Sequence, residues 1–361
     1  MSAPIAINAR FLTRNASGVD RFASEILREW LPRQDRVVRA VLPANAPAAV
    51  ARSLGIRADI VGSLKGHAWE QLDLPRHCRR ELMLNLCSSG PLTHRLQLVV
   101  LHDANTMANP WIFSLAYRSW YRMLFAGLMR RAGVVATVSK FSASELVRHV
   151  GGRAAARIEV ISESGEHVLR TPSDPAVLER LGLLGRRYVL AVGNRSPNKN
   201  LTGVAKAAAL LTGSDVKVVA VGGSNDRVFA SCDLSGSNLM LTGYVTDGQL
   251  RALYENALCF VYPSFYEGFG IPPLEAMHCG CPVVASDNSA IPEICGDAAL
   301  YCDPADPADI AHQVQRVLDS AALRDELRQA GHERVRLFTW ARAAQRLEEV
   351  IHHAESGLAD A

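Results

Sequence analysis

The sequence predicts an α/β protein of two domains, each built around a parallel sheet. Three observations lead there. At 361 residues the chain is too long for one ordinary core and suits two domains of about 150 to 200 residues each. Short apolar runs alternate with helical stretches in both halves, the pattern of parallel βαβ units. Between Ala257 and Ala285 a strand, a glycine-rich turn, a helix and a further strand follow one another without a break.

In order along the chain, Pro4 to Asn8 reads as a strand, Arg10 to Gly18 as a polar loop and Val19 to Leu31 as an amphipathic helix. Strands are predicted at Val37 to Leu42, Met83 to Leu86, Leu98 to His102 and Val134 to Val138. Arg118 to Arg131 and Ser142 to His149 supply helices, the second capped by Ser139 or Ser142. One more strand lies at Ile158 to Ile161. Ser164 to Pro175 then has the glycine, proline and polar content of a linker. A new series follows: strand Arg187 to Val192, turn, helix Leu201 to Leu211, and strands Val216 to Val221 and Leu239 to Thr242. Asp247 to Asn256 is a helix, Ala257 to Tyr262 a strand, Pro273 to Cys279 a helix stopped by Gly280, and Pro282 to Ala285 a strand. From Ala308 the chain is helical, ending in Trp340 to His353.

Composition sets limits. Hydrophobic residues make up 48% and charged residues 21% of the chain, as in a globular protein in water. No apolar run approaches the roughly 20 residues that span a bilayer, and MSAPIAINARF lacks the regions of a secretory signal. The expected location is the cytoplasm. Cys78, Cys87, Cys232, Cys259, Cys279, Cys281, Cys295 and Cys302 follow no zinc or disulfide spacing, so buried free thiols are expected.

Charge is shared unevenly. Residues 1 to 170 hold 23 Lys and Arg against 13 Asp and Glu, a balance of +10; the remainder holds 16 against 23, a balance of −7. Scattered arginines on solvated helix faces are one explanation. The other is a basic surface that meets an anionic partner, a membrane leaflet or a lipid-linked pyrophosphate. Arg76, Arg79 and Arg80 cluster, and Arg118, Arg122, Arg130 and Arg131 share a stretch with Trp111, Phe113, Trp120, Tyr121 and Phe125. That mixture suits an interface, although core packing also explains the aromatics. No recognition motif accompanies the charge, so nucleic acid is not the expected partner.

The densest signal is YPSFYEGFGIPPLEAMHCGCPVVAS, Tyr262 to Ser286, where Glu267 and Glu275 flank the turn. That turn is placed at the carboxyl end of a parallel strand, where open α/β sheets bind ligands. Amides at the helix start, beside a positive dipole end, suit a diphosphate. Pro272 and Pro273 have no amide hydrogen and only shape the turn.

The stretch EGFGIPPLE, with PEICGDAALYCDP after it, resembles the carboxyl-terminal signature of the retaining glycosyltransferases of family 4. IAINARFLTRNASGVDRFASEIL, LHDANT and ATVSKFSASEL extend the resemblance through the first half. It implies the GT-B fold, two Rossmann-like domains with parallel sheets facing across a cleft and a C-terminal helix crossing back to the first domain. The expected division is 1–165 on the acceptor side, 166–338 for the nucleotide sugar, and 339–361 for the returning helix.

The resemblance also implies roles. Lys199, in VGNRSPNKN, and a nearby arginine would grip the diphosphate; the usual arginine positions fall on Asn194 and Asn198, and Arg195 is displaced by a residue. Glu275 would accept from ribose hydroxyls, with first-turn capping as its structural alternative. Glu267 would lie near the sugar hydroxyls and anomeric carbon, or else tie the loop. Amides of Gly268, Phe269, Gly270 and Ile271 would face sugar or phosphate, and the backbone of Gly243, Tyr244 and Val245 the base. Tyr254 reads as core. His102, before Asp103, would touch the donor sugar, or serve as a satisfied structural histidine. Gly18 or Val19, framed by Arg10 and Arg21, could present an amide to phosphate or acceptor, or form an ordinary turn.

No Asp-X-Asp occurs in the chain, so no metal and no cofactor beyond the donor substrate is expected. The acceptor hydroxyl would attack from the leaving-group face, with no covalent nucleophile. SGVDRF and the mid-chain HD resemble bacterial mannosyltransferases of polysaccharide assembly. That implies mannose transfer from GDP-mannose to a saccharide acceptor of cell-surface polysaccharide or lipopolysaccharide, with a lipid-linked acceptor and peripheral contact at the inner face of the plasma membrane as the reason for the basic half. Glucosyl or rhamnosyl transfer from UDP-, ADP- or TDP-sugars, a sugar-nucleotide epimerase of the same fold, and a non-catalytic nucleotide-binding partner are the alternatives. A dinucleotide oxidoreductase lacks its fingerprint here.

Overall fold

A computed structural model describes residues 4–13, 17–46, 55–151, 158–193, 196–211, 215–222 and 238–359, with side chains to 355. The chain divides into two compact units, Met1–Glu163 with Trp340–Ala361, and Ser164–Thr339.

The first unit holds strands β1 (Ile5–Asn8), β2 (Val38–Leu42), β3 (Arg57–Ile60), β4 (Leu82–Asn85), β5 (Gln97–Val100), β6 (Val134–Thr137) and β7 (Glu159–Val160). All pair in parallel, in the order β3-β2-β1-β4-β5-β6-β7. Helix α1 (Gly18–Trp30) buries Phe22, Ala23, Ile26, Leu27 and Trp30, a stripe at helical spacing. The C-terminal helix Trp340–Ala359 covers that stripe: Trp340 is buried with its ring 6.1 Å from Phe22, and Trp30 Nε1 donates to Glu348 at 2.6 Å. Helices α2 (Leu115–Arg131) and α3 (Lys140–His149) pack on β5 and β6 through Leu124, Phe125, Leu128 and Leu146. Ser139 caps α3, accepting from Ser142 N at 2.9 Å.

Besides short turns such as Asn105–Ala108, the strand β3 and the stretch Gly66 to His77 have no counterpart in the sequence reading. β3 is an edge strand with no fully buried residue, held by the Arg39–Asp59 pair at 2.7 Å rather than by apolar burial. A helical stretch from Gly66 to His77 contains a wide π turn, Trp69–Asp73.

The second unit repeats the plan with β8 (Arg187–Val192), β9 (Val216–Val221), β10 (Leu239–Gly243), β11 (Cys259–Tyr262), β12 (Val283–Ser286) and β13 (Ala299–Cys302). Their order is β10-β9-β8-β11-β12-β13, again all parallel. Helix α4 (Leu201–Leu210) and α7 (Pro307–Asp319) bury Val204, Ala207, Ile310 and Val314 against β8, β9 and β11. Between them come α5 (Asp247–Asn256) and α6 (Ile271–His278), and α8 (Ala321–Val335) follows. Both sheets reverse strand order once, between β1 and β4 and between β8 and β11. Crevices outside the carboxyl ends of strands at such points are where open α/β sheets place ligands.

Ser164 to Pro175, read as a linker, is packed at its start. Glu163, Ser164 and His167 are buried, and Glu166–Leu169 forms a short 3-10 helix. Glycine and polar content gave the wrong environment because these polar groups find partners inside the protein. Among the described residues no helix is long and apolar enough to cross a membrane. Of the cysteines, Cys78, Cys259, Cys281, Cys295 and Cys302 are buried and free, and Cys87 and Cys279 are half-buried and free; Cys232 lies outside the described residues. Burial pushes the thiols of Cys78, Cys259, Cys295 and Cys302 up to about 12.

Candidate active site

At the β8/β11 reversal the chain leaves β11 at Tyr262 and enters α6 at Ile271. Gly270 caps that helix at φ +103, where an L side chain is strained, and a Cβ there would meet Ile291 Cδ1 at 2.6 Å. Phe269 is buried, its ring 5.7 Å from Phe338. The loop after β8 is stapled to the same turn. Asn198 accepts from Phe265 N through its carbonyl at 2.7 Å and donates through Nδ2 to Tyr266 O at 3.1 Å. Asn200, at φ +53, donates to Pro263 O at 3.0 Å and caps α4 by accepting from Gly203 N at 3.1 Å.

This stapling brings Lys199 to Glu267. Lys199 Nζ donates to Glu267 Oε1 at 2.7 Å and to the Tyr262 hydroxyl at 2.8 Å, and that hydroxyl lies 2.8 Å from the same carboxylate oxygen. Burial opposes the ammonium charge, but Glu267 and Tyr262 outweigh it and hold the Lys199 pKa above its ordinary value. Burial first, then Glu267, raises the Tyr262 phenol, which stays protonated as a donor. The ammonium has three N–H groups. Two of them are engaged by this pair, and the side chain keeps 19% exposure.

Glu275 sits in the second turn of α6, past the orphan amides, so the capping alternative does not apply. It is clamped instead. His167 Nε2 donates to Oε1 at 2.8 Å, and the Tyr254 hydroxyl donates to Oε2 at 3.1 Å. Tyr254 is buried, as a core reading requires, but its hydroxyl serves a carboxylate. Burial and then Glu275 push its phenol well above the ordinary range. His278 lies near this group, its imidazole lowered to about 4 by burial, His167 and His332. Gly243 ends β10 at φ +70, Tyr244 is 86% exposed and Val245 is buried. Asn194 and Arg195 lie outside the described residues.

In the first unit, Asn8, Glu70 and Arg10 meet at the β1/β4 reversal. The wholly buried Glu70 accepts from Asn8 Nδ2 at 2.8 Å, Ser89 Oγ at 2.8 Å and Arg10 Nε at 3.2 Å. Burial works against its charge, yet the hydrogen bond to His67 and the Arg10 guanidinium hold its pKa below the ordinary value. A second group surrounds His102, which is 5% exposed. Its Nδ1 lies 3.1 Å from Glu163 Oε1 and its Nε2 2.9 Å from Leu86 O, with the Phe22 ring edge-on at 4.8 Å. Burial alone would lower the imidazole pKa, but the hydrogen bond and charge of Glu163, helped by Leu86 O and Asp103, raise it. A protonated ring donates from both nitrogens, which is what these two acceptors demand.

His102 also lines an open cavity of about 400 Å³ with Ser17, Val19, Ser88, Asp103 and Tyr117. Ser17 N and Oγ both donate to Asp20, at 2.9 and 2.6 Å, which sets the entry to α1. Gly18 starts that helix with no described atom within 4 Å of where a Cβ would be. Among the described residues no three His, Cys, Asp or Glu side chains gather as metal ligands would. Sequence reasoning missed Tyr262, Tyr254, His167 and Glu163. Tyr262 was visible as a tyrosine ending the strand before the turn, whereas the others act through contacts distant in sequence.

Residues 179–334 match the family described as Glycosyl transferases group 1. O-antigen chain mannosyltransferase B of Escherichia coli is 33% identical over 261 residues, 69% of this chain and 68% of that protein. The chain belongs to the group 1 glycosyltransferases. Escherichia coli WbdA, a serotype-specific mannosyltransferase, is 28% identical over 260 residues, which is 68% of this glycosyltransferase but 32% of WbdA. Anabaena Alr3699/HepE, solved in complex with UDP and glucose, superposes with a TM-score of 0.76 at 17% identity over 97% of this chain and all of that one. Sucrose-phosphate synthase from Thermosynechococcus elongatus gives 0.74 at 20% identity over 97% and 98%. The likeness at these identities is one of fold, and the fold is GT-B.

Proposed function

We propose that this glycosyltransferase moves mannose from GDP-mannose, with retention and without a metal ion, onto a saccharide acceptor of cell-surface polysaccharide assembly. The names of its Escherichia coli relatives support the sugar and the process. The observation that carries the chemistry is the Lys199–Tyr262–Glu267 group at the β8/β11 crevice. A sugar 1-diphosphate places hydroxyls and phosphate oxygens within a few ångströms of one another, and a cation 2.7 Å from a carboxylate offers a partner to each. Lys199 takes the diphosphate, Glu267 the sugar hydroxyls and Glu275 the ribose. Amides of Gly268, Phe269, Gly270 and Ile271 add donors, the exposed Tyr244 with Gly243 and Val245 meets the base, and Arg195 adds a second cation.

In the reaction the bond from the anomeric carbon to the diphosphate oxygen breaks and a bond to the acceptor hydroxyl oxygen forms on the same face. The acceptor proton passes to the departing diphosphate, whose growing charge Lys199 stabilises. His102, a donor on both ring nitrogens, serves as a fixed positive group and not as a base. Val19 and Gly18 present the α1 amides on the acceptor side. The lipid-linked acceptor and contact with the inner leaflet find support in the exposed Leu115, Arg122 and Met123 of α2 and the exposed Trp111 that precedes it in the chain.

The test is a donor screen of UDP-, GDP-, ADP- and TDP-sugars with and without chelator, recording transfer and the anomer formed. GDP-mannose is expected to be the preferred donor, with chelator-insensitive turnover and a retained anomer. Preference for another donor, an inverted product, an epimer formed from donor alone, or loss of activity with chelator overturns the corresponding part.

A further inference from the structure

One five-residue segment, Glu163 to His167, carries a hydrogen-bond partner for a candidate residue of each unit. Glu163, which ends the first of the two stretches that make up its unit, is 5% exposed and holds His102 Nδ1 at 3.1 Å. His167, four residues later and 6% exposed, holds Glu275 Oε1 at 2.8 Å. What lies between them is anchored. Ser164 Oγ donates to Phe338 O at 2.8 Å and accepts from Glu166 N at 3.1 Å. A Cβ on Gly165 would stand 2.5 Å from Glu275 N and 2.6 Å from Leu274 C, so the segment lies against the α6 backbone as only glycine allows.

We propose that Glu163 and His167 are positioning residues for sugar transfer, Glu163 fixing the charge and orientation of His102 and His167 the orientation of the Glu275 carboxylate. The inference rests on the roles of His102 and Glu275 given above. A carboxylate against Nδ1, with a carbonyl on Nε2, keeps the imidazole doubly protonated and stops it turning. His167 and Tyr254 each take one oxygen of Glu275, so the carboxylate plane is set before a ribose arrives and its remaining lone pairs have fixed directions. Because backbone joins the two partners over four residues, substitution at either end disturbs a defined half of the machinery and spares the other.

The experiment compares Glu163→Gln, His167→Ala and His167→Gln with His102→Ala and Glu275→Ala in the full chain. Transfer from GDP-mannose is followed against pH, and GDP binding by calorimetry. Glu163→Gln keeps the shape and removes the charge. Its turnover is expected to fall about tenfold, and the alkaline limb of its pH profile to move to lower pH, while GDP affinity stays at the parent value and so reports a folded protein. His167→Ala is expected to weaken GDP binding about tenfold with the pH limb unmoved, and His167→Gln, whose amide can still donate, to recover most of that loss. If His102→Ala and Glu275→Ala impair the enzyme but Glu163→Gln leaves the limb in place, or His167→Ala binds GDP as the parent does, the positioning role is wrong. If His102→Ala and Glu275→Ala match the parent, the underlying reading of both sites fails, and this inference with it.

Discussion

Two sheets that share the order of their first six strands end in crevices that the protein treats differently. At the β1/β4 reversal, Glu70 is wholly buried and accepts from Asn8, Ser89 and Arg10, whose own side chain keeps 14% exposure, so the anion itself is closed off from solvent. At the β8/β11 reversal, Lys199 and Glu267 also pair, but each keeps some exposure, 19% and 11%, beside the glycine turn that opens α6. Topology offers the place twice. Side chains close one place around a buried carboxylate and leave the ion pair of the other partly exposed.

Removing the buried carboxylate gives the largest effect. Glu70→Ala removes the carboxylate that Arg10 Nε pairs with and the acceptor of the buried Ser89 hydroxyl and of one Asn8 Nδ2 hydrogen, and should cost about 3 to 5 kcal/mol of stability, read by denaturant unfolding of the full chain. GDP affinity of the remaining folded protein should match the parent. Equal loss of affinity would erase the distinction between the crevices. Lys199→Ala is the converse: GDP affinity and transfer should drop about a hundredfold, with a smaller change in unfolding free energy than Glu70→Ala produces. Gly270→Ala comes next, costing about 1 to 3 kcal/mol through its backbone angle and through the Ile291 contact, seen as a lowered melting temperature.

The smallest effect separates the units by pH. The His102 pKa is raised in the folded state, so its contribution is fully present below the ordinary 6.5 and fades as pH rises through the elevated value. The His278 pKa is lowered to about 4, so its contribution is present above 6.5 and is lost as pH falls from there through about 4. Hydrogen exchange of the full chain, corrected for intrinsic rates, should show the first unit losing protection above neutrality and the second losing it in acid. The same trend in both units would remove these histidines as the cause.

The difference between the crevices also explains what could be read from sequence. Both sheets announced themselves through buried strands such as Leu98 to His102 and Val216 to Val221, where apolar runs leave few other folds. β3 escaped because Arg57–Ile60 is held by Arg39 and Asp59, an ion pair without an apolar pattern. β13, Ala299–Cys302, is short and only partly buried, and gave no run to notice. Within the site, the glycine turn and Glu267, Glu275 and Lys199 were visible because one local stretch or one loop supplies each. Glu163 and His167 were not, because ESGEH looks solvated until residues 61 and 108 positions away are folded onto it.

Hydrogen exchange with and without saturating GDP tests most directly the claim that the β8/β11 crevice is the nucleotide site and the β1/β4 crevice a joint. GDP is expected to slow exchange of amides in 264–271 and to leave those of 82–85 unchanged. Slowed exchange at 82–85, with 264–271 unaffected, would contradict it.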